Sequence, residues 1–156
     1  MMDEGDVQRI LRHPEAMIGS DGLPHDTHPH PRLWGSFPRV LGHYSRELAL
    51  FPLEEAIRRM TGLTASRFGL RGRGVLAVGN QADLVVLDPR SIIDRASFDA
   101  PKKPAAGIET VLVNGRCVWR CGAPTGARPG RALRRADLDA PMQDWRPEPE
   151  AGDRGD

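Results

Sequence analysis

Hydrophobic positions in the first half of the chain recur mostly at helical spacing. Val7, Ile10 and Leu11 share one face between Asp3 and Arg12, and Asp3 stands where a helix N-cap belongs. His13-Pro14 ends that helix, because the residue before a proline avoids helical backbone. Ala16-Met17-Ile18 is a short apolar run that predicts a buried strand, followed by Gly19, Ser20 and Asp21. Gly22 through Pro31 cannot continue it, since glycine and proline punctuate the stretch. They predict a loop over the strand end, carrying His25, His28 and His30. Helical spacing returns over 38–48, where Val40, Leu41, Tyr44 and Leu48 line one side. A clearer helix is predicted over 52–61. Pro52 opens it, with Glu54 and Glu55 in its first turn and Arg58 and Arg59 near its end, which suits the helix dipole. Ala56, Ile57 and Met60 are its inward positions, and Gly62 is its expected stop. Thr64 is placed to cap one more short turn, closed by Gly69.

The period then shortens. Gly74 to Asn80 reads as strand and turn, and Ala82 to Leu87 as a strand bounded by Asp88-Pro89. Ile108–Val113 and Arg116–Arg120 flank Asn114-Gly115, a strong two-residue hairpin signal. Residues 89–106 are a polar, proline-bearing connection. Asp83 and Asp88 flank an apolar strand and read as turn and strand-end residues. Beyond Gly126 apolar periodicity nearly vanishes, and 132–156 reads as a mostly disordered tail.

The elements imply α/β architecture, and length limits it. A complete (β/α)8 barrel needs about 250 residues, more than the 156 present. Helix, turn and buried strand over 3–20 form the second half of an α/β repeat. Such a strand needs parallel neighbours joined by crossovers, and no second one is evident. With 22 basic and 21 acidic residues the net charge is +1, which gives no case for nucleic acid or membrane binding. Aromatic residues are 5% of the chain, too few for a base-stacking surface. No apolar run approaches the roughly 20 residues of a membrane span. The acidic start lacks a secretory apolar region, so a cytoplasmic protein is expected. Cys117 and Cys121, about 13 Å apart in an extended strand at roughly 3.3 Å per residue, are too far for a disulfide. They lack a second pair to complete a four-ligand metal site, and read as ordinary thiols.

Asp21 is the principal candidate for chemistry. A carboxylate at the C-terminal tip of a parallel strand sits where α/β barrels place their reactive groups. Asp-Gly is also an ordinary turn, so spacing alone leaves Asp21 open between catalysis and a structural role.

Leu11-Arg12-His13-Pro14, Met17 through Asp26 and Arg32 through Leu41 carry a resemblance, supported by Met60-Thr61-Gly62-Leu63, Arg67-Phe68-Gly69-Leu70 and Gly79 through Asp88. Together they resemble the C-terminal part of N-acyl-D-amino-acid deacylases (D-aminoacylases) of the amidohydrolase superfamily, from about residue 3 to about residue 130. The resemblance implies a fold: the last strand and helices of a (β/α)8 barrel over 1–71, with an active-site loop at 22–37. Part of a small β-sandwich over 72–125 and the tail over 126–156 would follow, the whole being incomplete as it stands. It implies zinc-dependent hydrolysis of N-acyl-D-amino acids, with Asp21 ligating or adjoining zinc and acting as general base, then acid. A metal-bound water must lose a proton to attack an amide carbonyl, and the departing amine must gain one.

The family's histidine ligands lie on earlier barrel strands, which have no counterpart here. His25 and His28 are therefore expected to face substrate or stabilise the loop, with zinc ligation the lesser reading for the loop histidines. Trp34 is open between lining the active-site mouth and anchoring the loop; His13 and His43 read as surface or packing residues. Two functions stand: a deacylase segment inactive alone, whether a truncated product, a fragment or a chain completed by a separately encoded upstream barrel segment, or a non-catalytic remnant or assembly module.

Overall fold

The computed structural model describes residues 3–23 and 25–133. Helix α1 (Glu4–Leu11) starts as its sequence indicates: the Asp3 carboxylate accepts the Gly5 N–H at 2.8 Å. Val7 and Leu11 pack on the core, whereas Ile10 stays exposed.

The expected buried strand at 16–20 does not form. Among the described residues this segment has no ladder partner, and Met17 and Gly19 face solvent while Ile18 packs on the core. A parallel strand exists only through hydrogen bonds to neighbours, and the described chain supplies none.

Helix α2 (Arg32–Arg39) begins inside the stretch expected as loop 22–37, so the loop ends at Pro31. Pro31 is already helical in φ and ψ, and its carbonyl receives the N–H groups of Trp34 and Gly35. Proline suits this position because a first-turn N–H has no intrahelical partner anyway. The chain then widens into a π-helix over Val40–Glu47, closed by Leu48 N–H donating to the His43 carbonyl five residues back. Gly42 faces the connection at Ile92: a Cβ there would stand 2.4 Å from the Ile92 carbonyl oxygen. Ala49, at φ +48, turns the chain toward α3 (Leu53–Met60), which follows Pro52.

The expected stop at Gly62 lies one residue late. The helix breaks at Thr61, and Gly62 opens α4 (Gly62–Arg67). Thr64 does not cap that turn; its hydroxyl donates to the Arg59 carbonyl at 2.8 Å. Gly69, at φ +66, does close it.

The sheet is antiparallel in the order β1-β2-β3-β4, formed by β1 (Leu84–Leu87), β2 (Ile108–Val113), β3 (Arg116–Arg120) and β4 (Ala123–Pro124). Asn114 and Gly115 both have positive φ, 48° and 76°, as a tight primed turn requires. Val113 pairs with Arg116 and Val111 with Trp119, with one irregularity between Val111 and Leu112. Of the strand and turn expected over 74–80, the strand does not form and the stretch is bends leading to a turn at 78–79. Its apolar residues Val75, Leu76 and Val78 are exposed, and among the described residues β1 has only β2 as a partner. The stretch at 126–129 packs locally: the Asn114 amide donates to the Pro129 carbonyl at 2.8 Å. The tail expected at 132–156 lies almost wholly outside the described residues.

One core joins helices and sheet. Val40, Leu41 and Tyr44 of the π-helix, Phe51, and Ala56 of α3 surround Ile92, which is 1% exposed. Leu87 of β1 and Ile108 of β2 pack on the same cluster. Ile92 comes from the connection read as polar, where the adjacent pair Ile92-Ile93 was the available signal. Leu48 and Ile57, expected inward, are exposed. Arg59 is buried instead: it pairs with Glu55 at 2.7 Å, donates to the Leu11 carbonyl and lies 4.6 Å from the Phe51 ring centroid. Among the described residues, no helix is long and apolar enough to cross a membrane.

Candidate functional site

Asp21 leaves the extended segment with φ +47, a left-handed conformation that aspartate tolerates better than most residues. Its side chain is 86% exposed. Arg32, at the start of α2, holds it twice: Nε donates to the Asp21 carbonyl at 2.8 Å, and Nη2 pairs with Oδ2 at 3.0 Å. Oδ1 has no hydrogen-bond partner among the described residues. Gly22 follows because Leu33 presses on it; a Cβ would meet Leu33 Cδ1 at 2.3 Å.

The histidines separate by role. His25 is exposed in a turn, and no described side chain or backbone group bonds to its ring. His28 donates through Nε2 to the Phe98 carbonyl at 2.7 Å. His30 accepts the Arg32 backbone N–H on Nδ1 at 3.1 Å, in place of the side-chain cap that Pro31 cannot provide, and its ring meets Phe98 edge to face at 5.0 Å. Pro29, fully buried between them, anchors the loop. Trp34 and Phe37 leave large apolar surface beside this loop. His43 pairs with Glu47 at 3.0 Å, and the first donor bond of that pair pulls the Glu47 carboxyl below its usual range.

The geometry brings Asp21 and Arg32 together and ties His28 and His30 to Phe98. It does not gather the histidines around Asp21. Among the described residues, no three His, Cys, Asp or Glu side chains converge as a metal site would require. Asp21 offers one free oxygen, His28 Nε2 is committed to a carbonyl, and His30 Nδ1 to an N–H. These residues do not by themselves form a site for zinc. Cys117 and Cys121 are free thiols on and after β3, away from this loop.

Arg32 and Phe98 were missed as site residues. Arg32 follows three prolines and histidines at a helix start, a visible signal for a first-turn residue. Phe98 is 70 residues from its histidine partner in sequence, so nothing local points to it.

Residues 5–119 match the model of the amidohydrolase family. The chain is 64% identical over 135 residues to a D-aminoacylase of Alcaligenes xylosoxydans xylosoxydans, covering 86% of this chain and 28% of that protein. A crystal structure of D-aminoacylase, described as defining a novel subset of amidohydrolases, is 62% identical, with a TM-score of 0.80 over 81% of this chain and 27% of that one. The N-acyl-D-glutamate deacylase of Bordetella bronchiseptica, complexed with zinc and a phosphonate mimic of the tetrahedral intermediate, is 55% identical. Its TM-score is 0.80, over 85% of this chain and 28% of that one. The chain thus spans little more than a quarter of the length of these relatives. With a family model covering most of its length, and with a TM-score of 0.80 to a solved member at 62% identity, the chain belongs to the amidohydrolase family.

Proposed function

We propose that this chain is the segment of an N-acyl-D-amino-acid deacylase that supplies the proton-transfer carboxylate, Asp21. The observation that carries the reading is the 64% identity to a D-aminoacylase over 135 residues, together with a family match over 5–119 that includes Asp21 and its loop. The exposed Asp21 carboxylate, with Oδ1 uncommitted, supports it. Hydrolysis of an amide needs a group that takes a proton from the attacking water and returns one to the departing amine. Asp21 is suited to do both in turn, at Oδ1, while Arg32 holds Oδ2. Residues 1–71 would be the last α/β unit of a barrel, 72–125 part of a small sheet domain and 126–156 a tail. The substrate is an N-acyl-D-amino acid, with His25 and His28 at the rim of its site. Zinc, as in the Bordetella relative, belongs to the complete enzyme, and most of its ligands come from outside this chain. The remaining barrel strands would belong to the part of the relatives' length that this chain does not span.

A second reading, a non-catalytic assembly module, is favoured by one observation: Asp21 stands without metal-ligating neighbours among the described residues. The two separate experimentally. The chain is assayed for D-amino acid released from N-acetyl-D-methionine, alone and mixed with a barrel segment cloned from a relative. Turnover only on mixing supports the deacylase, and none in either case the module. In the mixed enzyme, Asp21→Asn is expected to lower turnover by about 10²–10⁴-fold, the usual worth of a general acid–base group. Near-normal turnover would remove Asp21 from the mechanism.

A further inference from the structure

We propose that Phe98, at the tip of the connection between β1 and β2, is a positioning residue for Asp21, acting through His30 and Arg32. The proposal rests on the reading of Asp21 as the proton-transfer group. The connection is a projection tied at its base and at its tip. Its base is pinned where Asp88 N–H donates to the Gly107 carbonyl at 2.9 Å and where Ile93 and Ala106 exchange backbone bonds at 3.4 and 3.0 Å. Its tip is closed by Ser97 and Ala100, through Ser97 N–H to the Ala100 carbonyl and Ala100 N–H to the Ser97 hydroxyl. Asp94 fastens the same connection to α2 by pairing with Arg39 at 3.4 Å.

The tip reaches the histidine loop at two points. The Phe98 carbonyl accepts from His28 Nε2, which fixes the proton of a neutral His28 on that nitrogen. The Phe98 ring meets the His30 ring edge to face, 5.0 Å between centroids and 78° between planes. His30 Nδ1 accepts the Arg32 N–H, so this nitrogen is bare and the ring proton sits on Nε2. That bond satisfies one donor left over at the start of α2 and sets where Arg32 leaves the helix. Arg32 then holds Asp21 by both its carbonyl and its carboxylate. Asp21 is in a left-handed conformation and, among the described residues, has no ladder on either side, so within this chain its aim depends on these bonds. Phe98 is 63% exposed. Its ring contributes nothing to the core, and its removal opens no cavity there.

The test uses the ¹⁵N-labelled 156-residue chain and its Phe98→Ala, His30→Ala and His30→Asn variants. Imidazole nitrogen shifts report the two tautomers, and relaxation reports the order parameter of Arg32 Nε. Amide resonances of the β2–β3 hairpin report that each variant is folded. Both alanine variants are expected to lower the Arg32 order parameter toward the flexible range, below about 0.6. His30→Asn is expected to restore it in part, because an asparagine oxygen also caps a helix start. Unchanged Arg32 order in Phe98→Ala overturns the proposal, whatever His30→Ala does. In the mixed enzyme, Phe98→Ala should lower kcat by about three- to tenfold, the worth of an aromatic pair, with little change in KM. A loss confined to KM would make Phe98 a substrate contact and overturn the positioning role. If Asp21→Asn leaves turnover intact, the catalytic reading fails while the Arg32 measurement still stands.

Discussion

Glu55 is the residue on which the helical layer converges. Its carboxylate binds Arg58 at 2.7 Å and the buried Arg59 at 2.7 Å, and Arg59 passes the tie to the Leu11 carbonyl at the end of α1. Arg58 reaches the Pro14 carbonyl at 2.9 Å. Bonds from Arg58 first, then Arg59, hold the Glu55 carboxyl down to about 2 from the ordinary 4.5. Its folded value lies below its unfolded one, so the unfolded chain binds the extra proton between them. The stabilisation is complete above about pH 4.5 and is lost as pH falls toward about 2. Glu55→Gln should lower stability at pH 7 by about 2 kcal/mol, less than a wholly buried pair because Glu55 reaches solvent. It should also flatten the acid limb between pH 4.5 and 2, read from urea midpoints across that range. An unaltered acid limb would place the acid sensitivity elsewhere. The Glu55–Arg59 spacing of four was visible in the sequence. The burial of Arg59 was not, because its third partner lies 48 residues away.

Among elements, those with local signals were legible and those with remote partners were not. Asp3 capped α1, Pro52 preceded α3, and Asn114-Gly115 made the hairpin, each from neighbours a few residues away. The segments 16–20 and 74–80 carry strand-forming residues, yet a strand is completed by its neighbour. At the site, Asp21 and the three histidines were visible, but the fastening by Arg32 and Phe98 was not, since both contacts span loops. Gly42 belongs to the same class: its need appears only when Ile92 is laid against the π-helix. Gly42→Ala places a methyl 2.4 Å from a backbone carbonyl oxygen that cannot rotate away. The substitution should cost about 1–3 kcal/mol as overpacking, against a small gain in helix propensity. A denaturation midpoint equal to that of the parent chain would mean the connection moves freely off the helix.

At the scale of the molecule, the sheet leaves apolar surface open. Val85 and Val86 of β1 are both exposed although they point to opposite faces, and Val75, Leu76 and Val78, in the turns that precede β1, are exposed as well. An edge strand flanked by exposed apolar side chains invites pairing with another chain. The 156-residue chain should therefore grow in hydrodynamic size with concentration. Replacing Leu76 and Val78 with lysine should suppress that growth, as read by light scattering on a sizing column. A chain that stays monomeric at every concentration would show that these residues are covered in solution.

Ile92 has a consequence for how such enzymes can be recombined. It lies past β1, in the stretch a designer would assign to the sheet, yet it belongs to one buried cluster with residues of the π-helix, Phe51 and α3. A chimaera joined near residue 72, taking helices from one relative and sheet from another, would import a foreign residue into the helical core. Crossover points placed in the Asn114-Gly115 turn keep Leu87, Ile92 and Ile108 with the helices they pack on, and the helices and the sheet's connecting arm are inherited as a single unit.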